Sequence, residues 1–112
     1  MEETRRHERV RVDRQVHVHS ASGIEIEARM VDLSVGGAGL VYGAAAEVGT
    51  LLELSFSLAI RGELRPFSIK GVVRYSHLST DGYRFGIQFL ELTREDLQAL
   101  LTFVLQTKVI RR

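Results

Sequence analysis

The sequence predicts a mainly β domain, with six antiparallel strands forming a small barrel or sandwich and one helix at the C-terminal end. Apolar and polar residues alternate with a period of two through most of the chain up to residue 89. Short turns rich in Gly, Ser and Asp separate these alternating segments at regular intervals. The period then changes to that of an amphipathic helix. The length of 112 residues is typical of one domain with a single core.

The first two strands are predicted at residues 10–20 and 24–31. Valines at alternate positions mark the first strand, and residues 20–23 have the composition of a turn. In the second strand, apolar residues alternate with glutamates and an arginine, as expected when one face of a sheet is in water. The alternation breaks at residues 32–37, so the second strand is expected to end before Asp32.

The remaining strands are predicted at residues 38–42, 52–60, 67–75 and 83–89. The fourth has the most regular alternation in the chain. A turn is predicted at residues 61–63 between the fourth and fifth strands. Asp81-Gly82 is a strong hairpin signal between the fifth and sixth. Together these turns predict antiparallel neighbours along the chain.

The helix is predicted at about residues 93–108. Thr93, followed three residues later by Asp96, has the pattern of a capping box. A core-facing stripe is predicted at Leu97, Leu100, Leu101, Val104 and Leu105. The helix is expected to cover one opening or edge of the sheet. Phe103 and residues 109–110 lie off this stripe and are equally consistent with a partner contact or with extra core contacts.

The composition excludes several classes of site and compartment. The absence of cysteine excludes disulfides, thiolate nucleophiles and Cys-ligated metals. No apolar run approaches the ~20 residues of a spanning helix, and the charged N-terminus does not have the pattern of a secretory signal. We therefore expect a cytoplasmic protein without a membrane segment. The net charge of +1 argues against a strongly basic nucleic-acid binder.

No residue pattern supports an enzyme or a metal site. Ser34 lacks the preceding glycine of a nucleophile elbow, and the glycines at residues 36–39 lack the lysine of a phosphate-binding loop. His17 and His19 should share one face of a strand and could supply two metal ligands. No third ligand lies near them in the sequence, so they are interpreted as exposed strand histidines.

Two short motifs together suggest a function. Arg5 and Arg9 form an RxxxR pattern before the first strand, and Asp32, Ser34 and Gly37 form a DxSxxG pattern after the second. Taken alone, the first is typical of a solvated charged tail and the second of a strand connection. Both motifs in this order, on six strands and a C-terminal helix, resemble the PilZ domain family. Further similarity lies in residues 38–40, 71–75 and 83–89.

The resemblance implies a six-stranded antiparallel β-barrel that binds cyclic di-GMP, a bacterial second messenger, and has no catalytic residues, metal or cofactor. The implied ligand-binding residues are Arg5, Arg9, Asp32, Ser34 and Gly37, together with Arg6 and Gly36. Thr4 stands where family members that bind a stacked pair of ligands carry arginine, which favours one ligand per domain.

The chemistry of the ligand suits these residue types. An arginine fork can meet O6 and N7 of guanine or a phosphate, which are the roles expected of Arg5 and Arg9. The carboxylate of Asp32 can accept from guanine N1–H and the 2-amino group. Ser34 can donate to a phosphate or to a neighbouring backbone group. Gly37 leaves room for a close backbone approach.

These expectations define a domain organisation and a mechanism. Residues 1–9 are expected to form a flexible ligand-binding segment, and residues 10–112 a single barrel domain with its helix. Ligand binding would order the N-terminal segment and signal through contact with an unidentified effector protein. One alternative is an adaptor of the same fold that binds no nucleotide. The other is an RNA-binding β-barrel, which would require uncompensated basic charge and aromatics for stacking.

Overall fold

The computed structural model describes residues 8–111, with side chains described through residue 108. The strands are β1 (Val10–Ser20), β2 (Glu25–Leu33), β3 (Gly37–Tyr42), β4 (Leu51–Ile60), β5 (Glu63–Ser79) and β6 (Gly82–Leu90), followed by the helix α1 (Arg94–Arg111). They close a barrel in the order β1-β2-β3-β6-β5-β4, and every neighbouring pair is antiparallel. The predicted six antiparallel strands and C-terminal helix are confirmed.

The interior of the barrel is filled by the apolar residue of each alternating pair. Large side chains with less than 2% exposure come from four elements, and they are Met30, Leu33, Leu40, Leu54, Leu58 and Leu100. Burying each such side chain contributes about 1.5–3 kcal/mol to the free energy of folding. The alternation with a period of two therefore stabilises the protein by placing these side chains in the core. The opposite face of each strand lies on the outside of the barrel.

The two predicted hairpins are confirmed, and positive φ angles explain their composition. Arg61 and Gly62, with φ of 53° and 84°, form the two-residue connection between Ile60 and Glu63. In the next hairpin Ser79 pairs with Gly82, whose φ is 120°. Both turns tie strands that are adjacent in the chain into adjacent positions in the ring.

The end of the second strand was predicted wrongly. β2 continues through Leu33, so Asp32 lies on the strand rather than after it. The register shifts between Met30 and Asp32, where Val31 forms an irregularity against β3. An extra residue inverts the alternation, so that Leu33 faces the core while Asp32 faces out. The apparent break in the sequence pattern is this irregularity.

The fifth strand is also longer than the predicted residues 67–75. β5 runs from Glu63 to Ser79 with a second register shift, between Val73 and Tyr75. Leu64, Tyr75 and Leu78 are exposed on this strand, so its ends lack the regular apolar face that identifies a strand in sequence. Pairing with β4 and β6 extends the strand where its own composition does not.

The helix begins as predicted and is anchored along its length. The backbone N–H of Asp96 donates to the Thr93 hydroxyl at 3.0 Å, which confirms the N-cap. The Asp96 carboxylate pairs with Arg65 at 2.9 Å. Further along, the Gln106 side chain donates to the Ala59 carbonyl at 3.0 Å and accepts from the Arg61 N–H at 2.8 Å. These contacts lay α1 along the β4–β5 hairpin.

The predicted core stripe of the helix is correct for only two of its five residues. Leu100 and Val104 are buried, and Phe103 is partly buried against the core rather than free for a partner. The exposed residues are Leu97 (44%), Leu101 (43%) and Leu105 (52%). The helix packs mainly against β4 and β1, so it buries one narrow ridge and leaves the next in water. The side chains of residues 109–110 lie outside the described part.

Within the described residues, no helix combines the length and the apolar character that crossing a bilayer requires.

Candidate ligand-binding site

A row of paired residues crosses the outside of the barrel. Arg11 pairs with Asp32, Asp32 with Gly39, Gly39 with Gly86, and Gly86 with Tyr75. Directly paired residues of antiparallel strands point to the same face. These five residues, which we call the outer row, therefore lie side by side on β1, β2, β3, β6 and β5. The inward neighbours along the same strands belong to the core.

Asp32 is the centre of this row. Its Oδ1 accepts a hydrogen bond from Nη1 of Arg9 at 2.6 Å, and its Oδ2 accepts from Nη2 of Arg84 at 2.8 Å. The Asp32 side chain is 17% exposed, whereas those of Arg9 and Arg84 are 50% and 40% exposed. A partly buried carboxylate between two arginine forks is held in a defined orientation by charge-assisted bonds. Among the described residues, each guanidinium uses one of its five N–H donors on Asp32.

Gly39 makes the reach of Asp32 possible. A Cβ at this position would lie 2.6 Å from Oδ2 of Asp32 and 2.8 Å from Oδ1. The carboxylate on β2 therefore leans over the backbone of β3 to meet Arg84 on β6. A side chain at residue 39 would block this path, so the glycine is required by the geometry of the site.

A cavity of about 550 Å³ opens on this face beside Asp32. Its charged lining consists of Arg9, Arg11, Asp13, Arg29, Asp32 and Arg84. Four arginines against two aspartates give the cavity a positive balance. Its volume falls in the range of about 300–1,000 Å³ typical of small-molecule sites. The size and charge suit a ligand that carries phosphate and planar hydrogen-bonding groups.

Ser34 closes the turn between β2 and β3. The side chain is buried at 2% exposure, and its hydroxyl accepts from the N–H of Gly36 at 3.1 Å. The Ser34 backbone N–H donates to the Gly37 carbonyl at 2.9 Å. Of the two roles expected for this hydroxyl, the structure shows the contact with neighbouring backbone.

Gly36 and Gly37 hold the turn against β6. A Cβ on Gly37 would lie 2.2 Å from the carbonyl oxygen of Ile87, which leaves no room for any side chain. The Gly36 carbonyl accepts from the N–H of Phe89 at 2.9 Å. The missing side chain of Gly37 thus allows close contact with β6, and the backbone of Gly36 hydrogen-bonds to the same strand. The turn fixes where Asp32 enters the outer row.

The structure brings part of the predicted site together. Arg9 and Asp32 are in direct contact, and Ser34, Gly36 and Gly37 follow in the adjoining turn. Arg5 and Arg6 lie outside the described residues. The sequence analysis missed Arg84, Gly39, Gly86 and Tyr75. A glycine in the interior of the sixth predicted strand, two residues after an outward arginine, was the available signal for Gly86 and Arg84.

His17 and His19 occupy a different part of the barrel surface. They share one face as predicted, with ring centroids 6.3 Å apart. Nδ1 of His17 lies 2.7 Å from Glu27, and Nε2 of His19 lies 2.9 Å from Glu53. The hydrogen bond with Glu27 raises the pKa of His17 above its ordinary value of 6.5. Across residues 8–111, no group of three or more His, Asp or Glu side chains is arranged to hold a metal ion.

Comparison with known proteins finds a matching family and several solved structures of similar fold. The PilZ domain family profile matches residues 3–106. The Bacillus subtilis inhibitor of motility (MotI/DgrA) is similar with a TM-score of 0.88 and 21% identity, over 98% of this chain and 54% of that chain. The PilZ domain of Escherichia coli YcgR with c-di-GMP is similar with a TM-score of 0.72 and 16% identity, over 98% of this chain and 95% of that chain.

A third similar structure is the K. pneumoniae MrkH–c-di-GMP complex, with a TM-score of 0.77 and 18% identity, over 97% of this chain and 54% of that chain. This chain therefore spans about half the length of the MotI and MrkH chains. At these identities the likeness to solved structures establishes a shared fold. No curated protein sequence matches the chain significantly.

PilZ domains are receptors and adaptors for c-di-GMP rather than enzymes. In this chain the family match covers both short motifs, all six strands and most of the helix. With its closed antiparallel barrel, its C-terminal helix and a matched span of residues 3–106, the chain belongs to the PilZ domain family.

Proposed function

We propose that this chain is a c-di-GMP receptor whose ligand lies on the outer row. One observation carries the proposal: Asp32 is held between Arg9 and Arg84 at the edge of a positively charged cavity. In this position its carboxylate accepts from guanine N1–H and the 2-amino group, while the fork of Arg9 meets a guanine edge or a phosphate.

The contacts of Asp32 in the structure are compatible with this role. Each carboxylate oxygen has two lone pairs, and each carries one arginine hydrogen bond in the structure. Asp32 can therefore accept both guanine donors while Arg84 keeps it oriented. A carboxylate oriented before the ligand arrives loses less conformational entropy on binding.

The predicted N-terminal mechanism extends this proposal. Arg9 already contacts Asp32, and Arg5 lies one RxxxR step earlier in the sequence. We expect the phosphates to draw Arg5, and Arg6 beside it, onto the outer row, so that residues 1–9 lie across the bound ligand. Ser34, Gly36 and Gly37 would supply the turn on which this ligand rests. The new surface is the proposed signal to an effector protein in the cytoplasm.

Calorimetric titration with c-di-GMP tests the assignment. We expect the wild-type protein to bind, and Arg9→Ala to bind at least about a hundredfold more weakly, because two or more charge-assisted bonds of about 1.5–3 kcal/mol each are lost. Arg94→Ala, which removes an exposed arginine on α1, is the matched control and should bind like wild type. Cyclic di-AMP should bind far more weakly, because adenine lacks the two donors that Asp32 accepts. A folded wild-type protein that does not bind c-di-GMP would overturn the proposal.

A nucleotide-independent adaptor is the second candidate, and the exposed leucines of α1 favour it. Leu97, Leu101 and Leu105 are each more than 40% exposed and follow one another at intervals of four. Such a ridge is typical of a helix surface that contacts another protein. The same calorimetric titration separates the candidates, because an adaptor of this kind gives no heat with c-di-GMP while remaining folded.

A further inference from the structure

We propose that the end of the barrel opposite α1 holds a second small-molecule site, which binds an apolar ligand carrying an amine. The site is a cavity of about 520 Å³, which we call the mouth cavity, and its lining includes Val18, Ile24, Ile26, Glu47 and Leu52. In the described part of the chain it shares no lining residue with the cavity beside Asp32. The proposal therefore goes beyond the c-di-GMP function and does not depend on it.

The two ends of the barrel are covered differently. α1 lies at the end where β4 finishes, since the Gln106 side chain bonds to the backbone of Ala59 and Arg61. The mouth cavity lies at the other end of β4, where Leu52 belongs to its lining. β4 has 10 residues and is roughly 33 Å long at about 3.3 Å per residue, so the two ends are well separated. The helix therefore does not fill the mouth cavity.

The strand order explains why this end is incompletely filled. β3 and β4 are three places apart in either direction around the ring, so their connection, residues 43–50, has to cross the end of the barrel. This crossing loop is held on the β5 side. The N–H of Ala46 donates to the Ser76 hydroxyl at 3.4 Å, and the N–H of Gly49 donates to the Val73 carbonyl at 2.7 Å. The mouth cavity occupies the space left on the β1–β2 side.

The residues that border this space are small or apolar. Val18 and Ile26 are paired in register and belong with Leu52 to the apolar interior. The crossing loop contributes alanines at residues 44–46, whose side chains are single methyl groups. Because these side chains occupy little volume, the loop crosses the end of the barrel without filling it. An unfilled apolar interior at the mouth of a barrel suits the apolar body of a small ligand.

Two exposed apolar side chains lie at the mouth cavity. Ile24 belongs to its lining and is 62% exposed, and Val48 in the crossing loop is 64% exposed. Apolar side chains grouped around a concave opening are typical of a binding site, whereas scattered ones are an ordinary surface feature. A ligand in the cavity would cover Ile24 and remove this apolar surface from water, which favours binding.

The charge at the cavity selects the polar end of the ligand. Among the described residues of the lining, Glu47 is the one charged side chain. Its backbone carbonyl accepts from the N–H of Thr50 at 3.1 Å and from the Thr50 hydroxyl at 2.7 Å, which holds the residue in place. A carboxylate beside an apolar cavity attracts an ammonium group and repels a carboxylate or a phosphate. The mouth cavity therefore favours an amine over a fatty acid or a nucleotide.

An NMR titration with three probes of one ring system tests the site and its charge preference. Tryptamine, indole and indole-3-acetate carry a positive charge, no charge and a negative charge. We expect tryptamine and indole to shift the amide signals of residues 18–26 and 42–52. Tryptamine should bind roughly twofold to fivefold more tightly than indole, and indole-3-acetate more weakly than indole by a similar factor, as for an exposed ion pair.

Glu47→Gln separates the effect of charge from that of shape. The variant removes the charge at nearly constant volume, so tryptamine should bind no more tightly than indole. The affinity for indole should stay within about twofold of wild type. Glu63→Gln changes an exposed carboxylate of the β4–β5 hairpin, at the other end of the barrel, and is the matched control that keeps the preference for tryptamine.

Ala46→Leu tests whether the probes occupy the cavity. The larger side chain takes up volume beside the core, so the affinity for indole should fall at least about tenfold. Ala59→Leu adds the same group at an exposed position of β4 near the helix and should bind like wild type. Circular dichroism and thermal unfolding verify that the barrel is retained. Glu47→Gln, at an exposed position, tests the site independently of Ala46→Leu.

The outcomes separate this site from the receptor assignment. The site is wrong if tryptamine shifts no signal of the lining, or if indole-3-acetate binds as tightly as tryptamine. It is also wrong if sedimentation shows a wild-type dimer that Ile24→Ser makes monomeric, because a second copy of the chain then covers the cavity. Failure of folded wild type to bind c-di-GMP overturns the receptor assignment alone, since the probes are titrated without nucleotide.

Discussion

At the scale of single residues, the position of Asp32 depends on the missing side chains of two glycines. The carboxylate reaches Arg84 only because Gly39 has no side chain, and Gly37 seats the neighbouring turn on β6 for the same reason. Neither glycine has a positive φ, so conformational freedom does not explain them. Glycine is required at both positions because a side chain would collide with atoms on other strands.

We predict that Gly39→Ala weakens c-di-GMP binding without unfolding the barrel. The new methyl would collide with the carboxylate of Asp32, a side chain that can swing away, so the bond to Arg84 is lost while the strands remain paired. If the displaced carboxylate also gives up one charge-assisted bond to guanine, worth about 1.5–3 kcal/mol, the affinity falls roughly tenfold to hundredfold by calorimetry. Gly43→Ala, where a Cβ meets no atom within 4 Å, is the control. Equal affinities of the two variants would contradict the steric explanation.

A second residue-scale prediction concerns His17. The hydrogen bond with Glu27 raises the pKa of this imidazole, so the charged form is favoured in the folded protein. The resulting stabilisation is fully present below the ordinary value of 6.5 and is lost as pH rises through the higher folded pKa. An NMR titration of the ring protons should place the midpoint of His17 above 6.5 in wild type and lower it in Glu27→Gln. Glu63→Gln should leave the midpoint unchanged. A His17 midpoint unaffected by Glu27→Gln would rule out this cause.

At the scale of elements, the β2–β3 connection determines how the site is presented. The buried hydroxyl of Ser34 accepts a hydrogen bond from the N–H of Gly36 within the turn. The carbonyl of Gly36 accepts from the N–H of Phe89, which ties the turn to β6. Near its end, β2 contains an irregularity at Val31, and this irregularity turns the side chain of Asp32 outward. One strand end thus carries both a core residue, Leu33, and the central side chain of the site.

We predict that Ser34→Ala destabilises the protein by about 1–3 kcal/mol, because the partly buried N–H of Gly36 loses its acceptor. For a domain of about this size, each kcal/mol corresponds to a fall of roughly 4–8 °C in the melting temperature. Ser22→Ala, at an exposed turn position, should change it little. If Ser34→Ala melts like wild type but no longer binds c-di-GMP, the hydroxyl is a ligand group and its structural role is minor.

At the scale of the whole molecule, the closed ring places the side chains of the candidate site on one outer face. Asp32 and Arg84 are 52 positions apart in sequence and meet because β3 lies between β2 and β6. None of the helix residues whose side chains are described lines the cavity beside Asp32, and the helix presents its three exposed leucines elsewhere. Ligand and partner contacts can therefore occupy separate surfaces of a small domain.

The N-terminal mechanism predicts a change that is confined to one part of the molecule. Freezing the backbone costs about 1–2 kcal/mol per residue, and residues 2–9 contain no apolar side chain to offset that cost. Amide hydrogen exchange in this segment should be fast in the free protein and slow with c-di-GMP. The strand Leu51–Ile60 should change little in the same experiment. Protection of residues 2–9 without ligand would disprove the ordering step, whether or not the ligand binds.

The sequence by itself determined the features that are local in the chain. Alternation with a period of two is a property of one strand, turn residues act over two to four positions, and the Thr93 cap acts within one helical turn. These signals were sufficient for six strands, both hairpins and the start of the helix. The two motifs predicted that Arg9 and Asp32 belong to one site, and the structure brings these two residues into contact.

Only the tertiary structure decided the rest, because those features depend on neighbours distant in sequence. The irregularity at Val31 exists only in register with β3, so the sequence pattern indicated a strand end where there is none. Which leucines of α1 are buried depends on the angle at which the helix meets β4 and β1. Arg84 becomes a partner of Asp32, and Tyr75 a neighbour of Gly86, when the ring closes and sets strands from different parts of the chain about 4.8 Å apart.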